Sequence, residues 1–461
     1  MMPFRLKFFK NIVLAFLFWG IVVGTSGQES GSLYYLPGIQ QWSLENPAMQ
    51  NQPGQLVIGM PFLSGISGQW GSSVPINSLF SKGFDYSFSR FYDALGEEGE
   101  EGEIQASAGA VLFFAGFRHQ IYSFSFSVSE RAFAEGIFDR EIISIIRDGT
   151  KNYYDEKRDE ELGRASFFLT HYREIAPGIS IKWGDRLDVG IRPKFLFGKL
   201  HFSGRDLSMA VKADTIKEEL TITTDGNFLL AGPFYPEFDT ISMTNKFMTD
   251  LSPGDYFFQP KNFGVALDLG LVYRPTKSSD ISLSISDIGF VGFRHEIYNT
   301  GIQQVKFPKN NTYQSNPGEK QYLEPYQALK NFLDSLSYEI IEQPGKRPSY
   351  TIPFKINFAG KYHFTKNLTS GFQYQYKNYQ LSPVNLFTLF ATATLQPGIS
   401  FYGSLSALNT PKNIFPGLGA SYTTDWLQIY FTSYNISGIF QPMATKQLNL
   451  SFGINFLFET Q

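Results

Sequence analysis

Long-range alternation of apolar and polar residues constrains this chain more than any other feature. In residues 351–364, TIPFKINFAGKYHF, the even positions are Ile352, Phe354, Ile356, Phe358, Gly360, Tyr362 and Phe364. The odd positions are Thr351, Pro353, Lys355, Asn357, Ala359, Lys361 and His363. Successive side chains of a strand point to opposite faces, so one face is apolar and the other mostly polar. LNLSFGINFLF sets Leu448, Leu450, Phe452, Ile454, Phe456 and Phe458 against Asn449, Ser451, Gly453 and Asn455. NFGVALDLGLVY and RLDVGIRPKFLF repeat the pattern. The question is whether the apolar faces meet a protein core or a lipid bilayer.

Turn lengths tie these segments into hairpins. A three-residue turn at 365–367 pairs Phe364 with Leu368 and keeps even opposite even. WGDRL pairs Trp183 with Leu187, Ile181 with Val189 and Ile179 with Ile191, and it sets Lys182 opposite Asp188. LQPGI pairs Leu395 with Ile399 and Phe387 with Ala407. A two-residue turn at Thr424 and Asp425 accounts for the switch of apolar parity from Tyr422 to Leu427. A slip of one residue would turn every side chain to the wrong face, so agreement across several turns is informative.

Fourteen strands follow, at 54–73, 104–117, 120–131, 163–183, 186–204, 262–274, 281–294, 351–364, 368–381, 384–395, 399–408, 413–423, 426–437 and 446–458. The first reads as one strand or as two short ones. The long connections, 74–103, 132–162, 205–261 and 295–350, follow strands one, three, five and seven. Every even-numbered connection is a short turn. All the long loops therefore lie at one end and all the tight turns at the other. A soluble sandwich has no reason to sort its loops this way. An outer-membrane barrel does, with short periplasmic turns, longer extracellular loops and an even strand count. Trp183, Tyr273, Phe364, Tyr422 and Trp426 beside the short turns suit an interfacial girdle. The apolar faces cover the ~9–11 residues that a strand needs to cross a bilayer.

The expected fold class is thus all-β: a transmembrane antiparallel barrel of about 14 strands over residues 54–461. Residues 1–27 read as a secretory signal: Arg5, Lys7 and Lys10 precede the apolar run Asn11–Gly24, and small and polar residues follow. The alternative, a membrane anchor, needs ~20 apolar residues. The expected address is the bacterial outer membrane, with both termini periplasmic. No cysteine is present, so disulfides and thiolate metal sites are excluded. A net charge of −3 gives no hint of nucleic acid.

Chemistry-bearing motifs are sparse. We find no Gly-x-Ser-x-Gly elbow, phosphate loop, His-Glu-x-x-His or calcium loop. The expectation is no enzyme, no catalytic or metal residues and no cofactor. The five histidines are far apart and are read as solvated. The glutamate run GEEGEEGE, 96–103, is read as a solvated outer loop. FDREIISIIRD and PYQALKNFLDSLSYEII carry helical apolar stripes within the long loops. They read as helices over the barrel mouth, or as a gate or partner-binding face.

A barrel this wide cannot be filled by its own side chains. The inward faces that can be traced carry Lys355, Asn357, Lys361, Gln373, Gln375, Lys377, Asn449, Ser451 and Asn455. They are polar and a little basic, with no obvious apolar lane, which leaves a pocket between the hatch and the loop helices as the place for an apolar lining. Residues 28–53, rich in Pro, Gln and Asn, have no strand period and are read as a hatch entering the lumen from the periplasmic side.

ENPAMQNQPGQLVIGMPFLSGISG resembles the start of the mature domain in the long-chain fatty-acid transporter (FadL/PorV-like) superfamily, with Asn46, Pro47 and Ala48 at the place of that family's hatch motif. HYREIAPGISIKWGDRLDVGIRPKFLFGKL resembles an uncharacterised outer-membrane barrel family of gliding, type IX-secreting bacteria. The resemblance implies a fourteen-stranded barrel behind an N-terminal hatch. Two functional readings follow. One is a passive transporter or channel for a small, hydrophobic compound. The other is a non-transporting barrel that docks secretion or gliding machinery. Expected partners are outer-membrane lipid, a small hydrophobic ligand or a protein of that machinery. On either reading Phe358→Arg should impair assembly, and Asn357→Arg should be tolerated.

Overall fold

The computed structural model of the chain describes residues 31–49, 51–79, 88–98, 101–142, 159–214, 219–232, 235–239, 244–248, 262–293, 297–300, 303–308, 341–342, 349–396, 398–410 and 413–459. Fourteen antiparallel strands close into one barrel. Strand β1 is broken into Gln55–Gly59 and Ile66–Ser72. Then come β2 (Glu101–His119), β3 (Tyr122–Asp139), β4 (Asp159–Trp183), β5 (Leu187–Asp214), β6 (Phe263–Thr276) and β7 (Ser279–Gly292). β8 comprises Ser349–Thr351 and Phe354–His363. β9 (Leu368–Asn378), β10 (Val384–Gln396), β11 (Ile399–Leu408), β12 (Ile414–Thr423), β13 (Leu427–Ser433) and β14 (Gln447–Glu459) complete the ring. Each strand pairs with the next, and β14 returns to both halves of β1 through Gln55↔Glu459 and Ile66↔Phe452.

Turn arithmetic sets most of the register. Trp183 opposes Leu187, Ile181 opposes Val189, His363 opposes Thr369, and Phe387 opposes Ala407. Two hairpins differ in detail. Gln396, not Leu395, opposes Ile399, because a bulge follows Thr394. Gly398, at φ +87°, supplies the left-handed conformation that this closure needs. Tyr422 opposes Ile429, which moves the next turn's tip to Asp425 and Trp426. Thr424 stabilises it, since its Oγ1 accepts the Leu427 N–H at 3.0 Å.

Burial is inverted relative to a soluble protein. Arg192, Lys194, Asp268, Gln375 and Asn455 are at most 1% exposed, while Phe358, Leu389 and Phe364 are 41%, 53% and 60% exposed. Water as the outer solvent would impose the reverse. The outward faces are built for lipid, as in an outer-membrane barrel. Trp183, Tyr273, Phe364, Tyr422 and Trp426 are all exposed near the turns, where a girdle belongs. The outward apolar run of β5 covers residues 187–197, enough for one crossing. On β3 the apolar run gives way to Glu130, which accepts from Arg173 Nε at 2.7 Å and pairs with His171 at 3.0 Å.

Strands β4 and β5 are 25 and 28 residues long, far more than a crossing needs. The far half of β5 pairs with Glu219–Ala231, which in turn pairs with Ile297–Thr300 and Gln303–Pro308. Segments 132–139, 159–162 and 205–214, expected as connections, are therefore strand. Phe138 ends β3 rather than opening a helix, and its ring lies 5.6 Å from Phe91 in the helix Phe88–Glu98. The described residues of the glutamate run lie at the end of that helix and at the start of β2. Residues 1–30, 143–148 of the first loop stripe and 325–340 of the second lie outside the described residues.

One outward assignment is overturned. Ile352 points inward and is 1% exposed. Below it the odd positions Lys355 and Asn357 point inward, so the phase changes at Pro353. Proline has no N–H for the ladder, and the strand is interrupted there. The neighbouring β7 changes phase at the same level, at Asp287 with φ +66°.

Candidate functional site

Residues 31–49 lie within the ring. Tyr35 Oη donates to Gln373 on β9 at 2.6 Å, and Thr392 on β10 donates to Tyr35 O at 2.8 Å. Gln428 on β13 donates to Gly38 O at 2.8 Å. Gln41 and Asn455 on β14 exchange a pair of amide hydrogen bonds. Apolar contacts accompany them, with the Tyr35 ring stacked 4.4 Å from Phe390 and edge-on to Tyr402 at 5.1 Å.

Asn46, Pro47 and Ala48 occupy a notch in the wall. Asn46 Nδ2 donates to the carbonyls of Leu271 and Leu283, each at 3.3 Å, while its Oδ1 accepts the Ala48 N–H at 2.9 Å. Gly190 and Gly270, directly opposed on β5 and β6, form the notch. A Cβ on Gly190 would lie 2.2 Å from the Pro47 carbonyl, and one on Gly270 would lie 2.0 Å from Asn46 Oδ1. Neither position has room for a side chain while the motif is seated.

A belt of buried charge grips the segment. Arg192 Nη1 and Nη2 donate to the carbonyls of Ser43 and Leu44 at 3.1 and 2.8 Å. These carbonyls belong to the helical turn Trp42–Glu45, where C-terminal carbonyls lack intrahelical donors. Arg192 also pairs with Asp268 at 2.5 Å. Lys194 bridges Asp268 at 3.0 Å, Asp287 at 2.5 Å and Glu174 at 3.3 Å, and Lys355 reaches Asp287 at 3.4 Å. Mutual pairing is what makes so many buried charges tolerable.

Glu45 makes no ion pair among the described residues. It is 4% exposed, and neither carboxylate oxygen has a hydrogen-bond partner. Burial pushes its carboxyl above the ordinary range, while Lys355, Lys377, Arg131 and Arg192 act in the opposite direction.

The other lumenal candidates sit around this segment. Asn357 Nδ2 donates to Ser284 Oγ at 3.4 Å, and its Oδ1 accepts from Gln375 at 2.7 Å. Lys377 donates to Gln69 at 3.1 Å, and Lys361 donates to Tyr34 O at 2.5 Å. Arg192, Asp268, Glu45 and the two glycines were not singled out in the sequence. Register arithmetic would place Gly190 and Gly270 opposite each other on inward faces, a signal that was available.

Toward the loop end the inward faces change character. Phe133, Tyr172, Leu196, Phe293, Tyr350 and Ile352 belong to one buried apolar cluster spanning several strands. The polar character of the traced inward faces therefore does not extend through the whole lumen. The phase changes at Asp287 and Pro353 bring Phe293, Tyr350 and Ile352 inward, whereas Leu196 and Phe133 continue the inward series of Lys194 and Arg131. His171 and His201 are likewise buried, not solvated. His201 Nδ1 lies 2.8 Å from Thr170 Oγ1, and its ring lies 5.3 Å from Phe293.

A family model described as a family of unknown function, DUF5723, matches residues 47–433. The chain belongs to that family. The DUF5723 match takes in Gly190 and Gly270 of the notch, the wall residues of the charge belt, and Phe133, Leu196 and Phe293 of the apolar layer. It starts at Pro47, so Asn46 and the gripped turn Trp42–Glu45 lie just before it. No curated protein matches this DUF5723 chain. Among solved structures it is similar to the Ralstonia pickettii toluene transporter TbuX at 9% identity and TM-score 0.42, covering 91% of this chain and 93% of that one. A Pseudomonas aeruginosa FadL homologue gives 9% identity and TM-score 0.43, with 95% and 99% covered. The CymD monoaromatic hydrocarbon channel gives 10% identity and TM-score 0.41, with 92% and 94% covered. At these scores the likeness carries no argument about what the DUF5723 barrel handles.

Proposed function

We propose that this protein is a passive outer-membrane transporter for a small hydrophobic compound, with residues 28–53 as its hatch and both termini in the periplasm. One observation carries the reading. The lumen is filled by a segment of the chain's own N-terminus, held by side-chain contacts and a glycine notch rather than by the strand ladder. Such a filling can leave without opening the barrel. The aromatic layer above it supports an apolar cargo, since small-molecule sites are mostly apolar with a few placed polar groups. Asn46, Pro47 and Ala48 are the seating motif in this reading. Lys355, Asn357, Gln373, Gln375, Lys377 and Asn455 form the wall that the hatch leaves behind, and Lys361 stands at its lower edge.

Deleting residues 28–50 tests this. The deletion should raise single-channel conductance in planar bilayers and speed entry of a hydrocarbon into proteoliposomes. Unchanged conductance from a correctly folded, heat-modifiable barrel would sink the transporter reading.

A second reading has its own support. The overhanging ends of β4 and β5, with Glu219–Ala231 added, extend a sheet well beyond the bilayer. Such a platform suits a docking subunit of surface secretion or gliding machinery. A stable protein partner in a mild-detergent pull-down, lost on trimming that extension, would favour it.

A further inference from the structure

At the tight-turn end, between the N-terminal segment and the wall, lies an open cavity of about 490 Å³. That is within the range of small-molecule sites, ~300–1,000 Å³. Its apolar lining includes Tyr34, Trp42 and Met49 from the N-terminal segment. Charged residues complete it, with five Lys or Arg against three Asp.

The acids are largely engaged. Arg274 holds Asp188 at 2.5 Å and approaches Asp280 at 3.6 Å. His363 Nε2 lies 3.1 Å from Asp280, and its Nδ1 lies 2.9 Å from Thr369 Oγ1. Asp188 thus pairs with Arg274 rather than with Lys182, the residue opposite it in the hairpin.

Lys361 is situated differently. Its ammonium lies 3.6 Å from the Tyr34 ring centroid and 5.2 Å from that of Trp42, and it donates to Tyr34 O. Among the described residues it makes no ion pair with a carboxylate. Of its three N–H donors only one meets an oxygen acceptor among the described residues, and the two aromatic faces attract the charge without supplying another, in a half-enclosed setting where an anion would be held strongly.

We propose that this cavity binds a small organic anion with a flat apolar body, such as an aromatic carboxylate. The carboxylate takes the open donor of Lys361, and the body lies against Trp42 and Met49. The site is open to the turn-side solvent, so its occupancy does not depend on the hatch moving or on the lumen conducting. A cation is disfavoured by the excess of Lys and Arg, and a purely apolar guest leaves the Lys361 donor unanswered.

The test is calorimetric titration of 2-naphthoate into the mature barrel in nanodiscs, with empty nanodiscs as the blank and 2-naphthylmethanol as the neutral analogue. Naphthoate should bind, and the alcohol should bind at least about 10-fold more weakly. Lys361→Met should weaken naphthoate by a similar factor without changing the alcohol, and Lys361→Arg should restore most of the loss. Naphthoate and alcohol binding equally to the natural chain, or no naphthoate binding at millimolar concentration, would overturn the proposal. That comparison holds even if Lys361→Met fails to fold. A positive result alongside unchanged conductance on hatch deletion would keep the site and remove the transporter.

Discussion

Below the level of Arg192 the lumen is filled by a segment borrowed from before the first strand; above it, by side chains of the wall itself. The lower filling combines apolar packing of Leu33, Tyr35 and Leu36 on the wall with directional contacts that fix its position: Arg192 on two carbonyls, Gln41 on Asn455, Asn46 on Leu271 and Leu283. The upper filling is the apolar cluster around Phe293, Tyr350 and Ile352. Directional contacts lose much of their strength when one partner shifts by an ångström, whereas apolar packing adapts. The two layers should therefore fail separately, the lower one through a few residues and the upper one gradually.

The largest effects should come from removing one anchor in each layer. Arg192→Ala strips the cover from Asp268 and the two carbonyls, at about 3–5 kcal/mol for breaking a buried pair. It should release the N-terminal segment to protease. Phe293→Ala should cost about 3–5 kcal/mol of barrel stability in urea-driven loss of heat-modifiable migration. It should leave the segment protected. Equal protease exposure in both variants would erase the distinction.

The next pair sharpens inside against outside. Phe358→Arg puts a charge toward lipid and should cost about 2–4 kcal/mol, read as reduced assembly into the outer membrane. Asn357→Arg, expected from the sequence to be harmless, is no longer so. Asn357 is 7% exposed and bonded to Ser284 and Gln375, so arginine there should loosen the segment without blocking assembly.

Gly190→Val meets the Pro47 carbonyl at the notch. Overpacking of about 1–3 kcal/mol should unseat the motif and raise conductance while the barrel stays intact. The smallest effect is on pH. Glu45 has a carboxyl raised by burial, so the seated state binds its proton more tightly than the released state. Seating is therefore firmest below the ordinary carboxylate value of 4.5 and weakens as pH rises through the raised one. Glu45→Gln should flatten that dependence in a proteolysis–pH profile.

The wall was legible in the sequence because alternation and turn length are local. Every hairpin needs only its own residues to set its register, as Trp183↔Leu187 and Phe387↔Ala407 show. Phase changes were illegible. Ile352 continues the even series in the sequence, and only the break at Pro353 sends it inward. The site is harder still, because it depends on residues far apart in the chain. Arg192 looks like one more polar-face residue until Ser43 and Leu44 are brought beneath it. The Asn-Pro-Ala motif was visible, but its seat required knowing that Gly190 and Gly270 meet.

Within five residues the N-terminal segment goes from Gln41, on β14, to Asn46, on β6. In a ring of fourteen strands these two are six places apart by the shorter way, almost diametrically opposed. The segment is thus a crossbar. A hollow tube of sheet flattens readily under sideways load, because its hydrogen bonds run around the circumference and none spans the bore. A tie across the diameter removes that soft mode. Membrane tension and lateral pressure should then deform the seated barrel less than the empty one, and the release of one short segment would change how the whole cylinder bends.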